Sequence, residues 1–172
     1  EISECLVGSE MCIRDSIFLG HGASDTLYGS PQDGEFTVLI NETNIQELLY
    51  GKRCFILACN SYEFCENYNL TSFIGFGNMP TGIVDVKIAM EADTTFPSLE
   101  KEDIDTYDAA LVSLLIRAFN VAWLTDMEKL YSKIRLYANV EIGECLINKP
   151  CKMFREVADL LQDFKNDCTY CP

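Results

Sequence analysis

One histidine, His21, stands in the whole 172-residue chain, so a single imidazole is available to any acid–base chemistry. Cations are also scarce. Lys and Arg number 13 against 27 Asp and Glu, a net charge of −14. That argues against a nucleic-acid partner, since phosphate contacts need a surplus of Lys and Arg. No apolar run approaches the roughly 20 residues of a membrane span, and no membrane partner is expected. Internal repeats, low-complexity tracts and obvious linkers are missing too. What remains is 48% hydrophobic and 23% charged, an ordinary globular composition in a chain long enough for one domain with a real core. The acidity has two readings: a solvated surface that maintains solubility, or a field that attracts basic peptides.

The stretch CLVGSEMCIRDS, residues 5–16, resembles a translated sequencing adapter. Residues 1–15 are therefore set apart from fold reasoning, and the native chain is expected to start near Ser16 as a fragment. Setting them aside removes Cys5 and Cys12 and moves the charge from −14 to −11, so the acidity belongs to the remainder. Cys54, Cys59, Cys65, Cys145, Cys151, Cys168 and Cys171 stay. An odd number without regular spacing is no disulfide framework. Reduced thiols in a cytoplasmic protein are the simpler reading. Cys168 and Cys171 have Cys-x-x-Cys spacing, but they end the chain instead of opening a helix after a strand. Zinc there would need two further ligands, for which Cys145 and Cys151 are the candidates. Asn41 and Asn69 match glycosylation acceptors, a motif common by chance.

Residues 17–19 form a short apolar run ended by Gly20, which predicts a strand. TLYG, SPQDG and EFTVLI predict a hairpin, with the turn set by Pro31 and Asp33-Gly34. In NETNIQELL, Thr43 and Gln46 have capping-box spacing at the start of a helix that Gly51 stops. RCFILAC is a continuous apolar run suited to a central strand buried on both faces. SFIGFGN predicts another strand. Strand, helix, strand and strand imply an α/β domain, with a mainly parallel sheet flanked by helices. Residues 84–102 are poorly periodic and read as a loop. From about residue 104 to the end three apolar-periodic segments predict a helical C-terminal half.

Ligands of open sheets of this kind bind beyond the carboxyl ends of the strands. His21 and Cys59 each lie just past such an end. A thiolate attacks carbonyls, and a nearby imidazole raises the thiolate fraction or protonates the leaving amine. The glycines flanking His21 would let a substrate backbone come close. FLGHG, followed by a hairpin, a helix and CFILACNS, resembles the caspase-like (clan CD) cysteine peptidases, above all the CHAT branch often fused to tetratricopeptide repeats. The likeness spans roughly residues 17–82. It implies Cys59 as nucleophile, His21 as general acid or base, and an oxyanion hole from the N–H groups of Gly22 and Cys59. It implies a protein or peptide substrate, no metal or cofactor, and regulation by a domain or partner outside the fragment. It places Gly77, Asn78 and Met79 near the substrate. Strands that the family sets before the histidine strand have no counterpart here, which implies an N-terminally truncated or incomplete sheet. Asp25, Asp85, Glu91 and Asp93 fall near the expected active edge, and Arg53 lies at the far end of the cysteine strand. A basic residue before the scissile bond is mildly favoured on that basis. The alternative is a catalytically inactive caspase-like interaction or scaffold module.

Overall fold

Arg53–Leu57 (β5) places Cys54, Phe55 and Ile56 wholly out of solvent, and a strand with no wet face must lie inside a sheet covered on both sides. The computed structural model, which describes residues 15–30, 36–79, 98–122 and 126–172, builds that sheet. Asp15–Leu19 (β1) and Ser72–Gly75 (β6) flank β5 in parallel, and Thr169–Cys171 (β7) closes the other edge antiparallel to β6. A second, antiparallel sheet is formed by His21–Gly22 (β2), Leu27–Tyr28 (β3) and Val38–Ile40 (β4). The architecture is α/β with a mixed, mostly parallel main sheet. The hairpin turn at Pro31 and Asp33-Gly34 lies outside the described residues, as do residues 1–14 and Asp85, Glu91 and Asp93.

The two-residue period of β5 divides the core. Cys54, Ile56 and Ala58 face Leu27, Ile45, Leu49, Phe64 and Cys65, contributed by the small sheet and two short helices, Ile45–Leu49 (α1) and Ser61–Asn67 (α2). Phe55, Leu57 and Cys59 face three helices, Lys101–Ala122 (α3), Met127–Asn148 (α4) and Phe154–Asp167 (α5). α3 buries Ile104, Tyr107, Leu111, Leu114, Ala118 and Ala122, one face at helical spacing. Phe55 meets Phe119 edge-on at 4.8 Å, and Phe76 stacks on Phe164 at 5.0 Å. Aromatic contacts thus tie β5, α3 and α5 together. No helix among the described residues is long and apolar enough to cross a membrane.

Three expectations change on contact with the structure. Asn44 occupies the N-cap of α1 without a side-chain capping bond. Thr43 Oγ1 instead donates to Asn41 Oδ1 at 2.7 Å, a local turn that competes with the expected box. The C-terminal Cys-x-x-Cys is split: Cys168 caps α5 and joins the helical core, whereas Cys171 ends β7 and packs on the opposite side of the sheet. Asp15, the last residue set apart above, opens β1 and grips Arg53 through two hydrogen bonds of 2.6 and 2.7 Å.

Asp103, buried in the first turn of α3, accepts hydrogen bonds from the N–H groups of Glu100 (2.9 Å) and Met153 (3.1 Å). It so joins the start of α3 to the start of α5. Burial pushes its carboxyl upward, but these donors and the Cys151 thiol outweigh it and hold the group below the usual aspartate range. The folded value being depressed, the stabilisation is present above the unfolded pKa of about 3.9 and lost as pH falls through the folded one. Asp103→Asn is expected to lose about 1–3 kcal/mol at neutral pH. Its melting temperature should converge on that of the wild type below the ordinary aspartate range; a constant gap down to strong acid refutes the assignment.

Candidate active site

β1 and β5 pair in register from Asp15↔Arg53 to Leu19↔Leu57, so both strands end at one edge. Gly20 N–H donates to Leu57 O at 3.1 Å and extends the pairing one residue further. There the chain turns into β2. A Cβ built on Gly22 would fall 2.5 Å from the Cys59 carbonyl oxygen and 3.0 Å from Ala58 Cβ. The glycine after His21 therefore answers an approach to the protein's own Cys59 backbone, a reason different from the room for substrate expected above. β2 pairs Gly22 with buried Leu27 and His21 with Tyr28, so the imidazole lies on the opposite side of the hairpin from Leu27. Half-buried, it meets the Phe36 ring edge-on at 4.8 Å.

Cys59 leads directly into a left-handed residue, Asn60 (φ 54°, ψ 21°), and then into α2. Asparagine tolerates this conformation better than most residues. Hydrogen bonds hold the sharp turn from strand to helix. Asn60 N–H donates to Gly77 O at 2.9 Å, and Tyr62 N–H donates to Phe76 O at 3.0 Å. The fully buried Ser61 hydroxyl donates to Ile56 O at 2.7 Å and accepts from Phe76 N–H at 2.8 Å. The Cys59 thiol is half-buried; it donates to Met79 O at 3.1 Å and accepts from Met79 N–H at 3.4 Å.

The structure thus brings Gly22, Cys59, Gly77 and Met79 together, with His21 adjoining Gly22. Met79 meets the thiol through its main chain, its side chain being buried in the helical core, and Asn78 is exposed between the two. Asp25 stands apart from this group. It is exposed at the tip of the β2–β3 hairpin, where Tyr68 Oη donates to its carbonyl at 2.9 Å beyond the last turn of α2.

Helices far away in sequence supply neighbours that no local motif announces. The Asp167 carboxylate at the end of α5 fills the space over Gly77. Burial pushes the Tyr107 hydroxyl up, and Asp108, Cys59, Asp163 and Asp167 add to it. Asp163 is itself raised, by burial and then by Asp167 and Asp159. Such convergence is set by helix packing and has no signature in sequence spacing.

Burial separates the thiols. It pushes Cys54 and Cys151 up to about 11 and Cys168 up to about 12, and raises Cys65 and Cys145. A thiol at about 11 is roughly a hundredfold less ionised near neutral pH than an ordinary one. Cys59 and Cys171 are the partly exposed thiols of the described residues. Brief alkylation of the native protein followed by peptide mapping is expected to modify these two. The five buried thiols should react only after denaturation, and equal native labelling of Cys54 and Cys59 contradicts this ranking. Among the described residues no cluster of three or more His, Cys, Asp or Glu is placed to hold a metal ion.

No family model, no curated protein and no solved structure matches this chain.

Proposed function

We propose that this chain carries the catalytic edge of a caspase-like cysteine endopeptidase of the CHAT type, with Cys59 as nucleophile and His21 as general acid or base. The observation that carries the reading is the seating of Gly22 against the Cys59 carbonyl. It sets the two strand ends that bear the imidazole and the thiol side by side. Cys59 Sγ attacks the carbonyl carbon of the scissile bond, and its proton passes to His21, whose ring must first leave Phe36 and turn toward the thiol. The N–H groups of Gly22 and Cys59 hold the developing oxyanion. His21 gives the proton to the leaving amine, and water then cleaves the thioester. The chain segment at Gly77, Asn78 and Met79 flanks the thiol and would receive the substrate backbone, which must displace the Cys59–Met79 contact. Asp25 would meet the substrate further out, from the hairpin tip. The free thiols suit a reducing, cytoplasmic setting.

A second reading, the inactive scaffold module, is favoured by two observations. The imidazole lies against Phe36, on the side of the hairpin away from Leu27 and from the Cys59 backbone that Gly22 meets. The Cys59 thiol is engaged on both its donor and acceptor sides by the Met79 main chain, as a structural cysteine would be. Peptide probes carrying a thiol-reactive carbonyl, with Arg, Lys or Asp before the warhead, separate the two. Labelling of the wild type that disappears in Cys59→Ala supports the peptidase. Labelling that survives Cys59→Ala refutes the nucleophile, and a folded protein that ignores every probe supports the scaffold.

A further inference from the structure

Between α3, α4 and α5 lies a cavity of about 270 Å³, walled by described residues. α3 contributes Ala109 and Ala110 there and α4 contributes Cys145, side chains too small to fill the space between three packed helices. Val157 and Leu161 of α5 make a further apolar wall. The volume is close to the lower limit of about 300 Å³ for sites of drug-sized ligands, so an occupant must be small.

Glu141 and Glu144, one turn apart on α4, line the same cavity. The Glu141 side chain is only 10% exposed. Its Oε1 accepts from Ser113 Oγ at 2.8 Å and from Arg117 Nη1 at 3.1 Å. Arg117 is fixed in that place, its guanidinium 4.5 Å over the Tyr137 ring. Both donors thus use one oxygen, and Oε2 has no donor among the described residues. No unpartnered side-chain oxygen among them is sealed from solvent, so Oε2 opens onto the cavity that Glu141 lines. Arg117 balances the charge of Glu141, whereas Glu144 has no ion-pair partner among the described residues. One negative charge is left over at an otherwise apolar hollow.

We infer that this cavity binds a small organic cation, a primary ammonium on a short apolar body. The ammonium donates to Glu141 Oε2 and lies between the two carboxylates. Its apolar body rests on Ala110, Val157 and Leu161. An ammonium offers three donors and no acceptor, and its bond to a nearly buried carboxylate is charge-assisted. An anion is repelled, and a neutral alcohol makes only an ordinary hydrogen bond. A metal ion lacks ligands, since no group of three suitable side chains meets among the described residues. This inference is independent of the peptidase reading.

The test is titration of the full chain with phenethylammonium chloride at physiological salt, which screens the acidic surface. Calorimetry gives the affinity, and the methyl NMR signals of Ala109, Ala110, Val157 and Leu161 give the place. The wild type should bind at a single site and shift those methyls. 2-Phenylethanol, the same shape without the charge, should bind at least about tenfold more weakly. Glu141→Gln keeps an acceptor for Ser113 and Arg117 but loses the charge. It should weaken phenethylammonium about tenfold or more and leave 2-phenylethanol unchanged, with circular dichroism showing that it is folded. Should it not fold, Glu144→Gln, at an exposed position, carries the same comparison with a loss of about twofold to fivefold. Absence of binding, equal affinity for the alcohol, or full affinity in both variants overturns the inference. Binding that leaves the four methyls unshifted overturns it too, because it marks attraction to the acidic surface alone.

Discussion

Cys59→Ala is expected to lower peptide hydrolysis on the order of 10⁴-fold or more, leaving only what substrate binding and the oxyanion hole contribute. The decisive companion is Cys59→Ser. A serine hydroxyl preserves the shape of the side chain and can donate to Met79 O and accept from Met79 N–H, as the thiol does. It is nonetheless a far poorer nucleophile than a cysteine when its base is a lone imidazole. If Cys59 is structural, Cys59→Ala should cost stability through two weak sulfur contacts, and Cys59→Ser should restore it together with every function of the protein. If Cys59 is the nucleophile, Cys59→Ser should melt with the wild type and remain inactive. His21→Ala should fall between, by about 10²–10⁴-fold, because Cys59 retains intrinsic nucleophilicity without its proton partner. Hydrolysis measured as kcat/KM beside melting temperature for the three variants decides the matter: wild-type turnover by Cys59→Ser ends the assignment of Cys59 as nucleophile.

The sequence is most readable where one period dominates. β5 and β6 stand out because RCFILAC and SFIGFGN are apolar runs cut off by turn residues, and both appear where expected. α3, α4 and α5 stand out because apolar residues recur at helical spacing over many turns, although α4 runs on to Asn148, past the last strongly periodic residue. Of the two-residue strands, β3 was legible as the TLYG arm of a hairpin and pairs antiparallel with β4. β2 was not: it exists because Gly22 must pack on Cys59, a constraint that arises only after the strands meet. β7 was hidden for a different reason: three residues are too few to show a period, and of the Cys-x-x-Cys only Cys171 lies in the strand, Cys168 capping α5.

The site divides along the same line. His21, Gly22 and Cys59 were legible as residues that follow strands, because strand ends in a parallel sheet share an edge. The role of Ser61 was not, since a buried hydroxyl bridging Ile56 and Phe76 looks in sequence like any helix-starting serine. Tyr107 and Asp167 come from helices some fifty and a hundred residues beyond Cys59. They reach it only because α3 and α5 pack on the face of β5 that Phe55 and Leu57 also fill. Specificity is affected most. Asp163 and Asp167 of α5 gather with Cys59 around Tyr107, and they were invisible to a search confined to the loops around the two motifs.

Gly22→Ala is the smallest change with a large expected effect. The added methyl has three neighbours: Cys59 O at 2.5 Å, Ala58 Cβ at 3.0 Å and Leu27 Cδ2 at 3.2 Å. Leu27 can shift its side chain, but the other two belong to a segment fixed from several directions. The pairing of Gly20 with Leu57 holds the entry to β2, and Asn60 with Gly77 holds the exit from Cys59. The backbone must therefore yield, and the β2–β3 hairpin is displaced from the end of β5. Overpacking of this kind costs about 1–3 kcal/mol. The larger consequence falls on chemistry. A displacement of about 1 Å moves the Gly22 N–H from the oxyanion position and His21 from the scissile bond, and misplacement on that scale lowers turnover about 10²-fold. Gly22→Ala should thus melt earlier than the wild type yet remain folded, and it should lose far more kcat than KM. Its Cys59 should still alkylate with a small thiol reagent, since the thiol itself is untouched. A variant that keeps both full stability and full turnover would show that Gly22 and Cys59 do not meet as described.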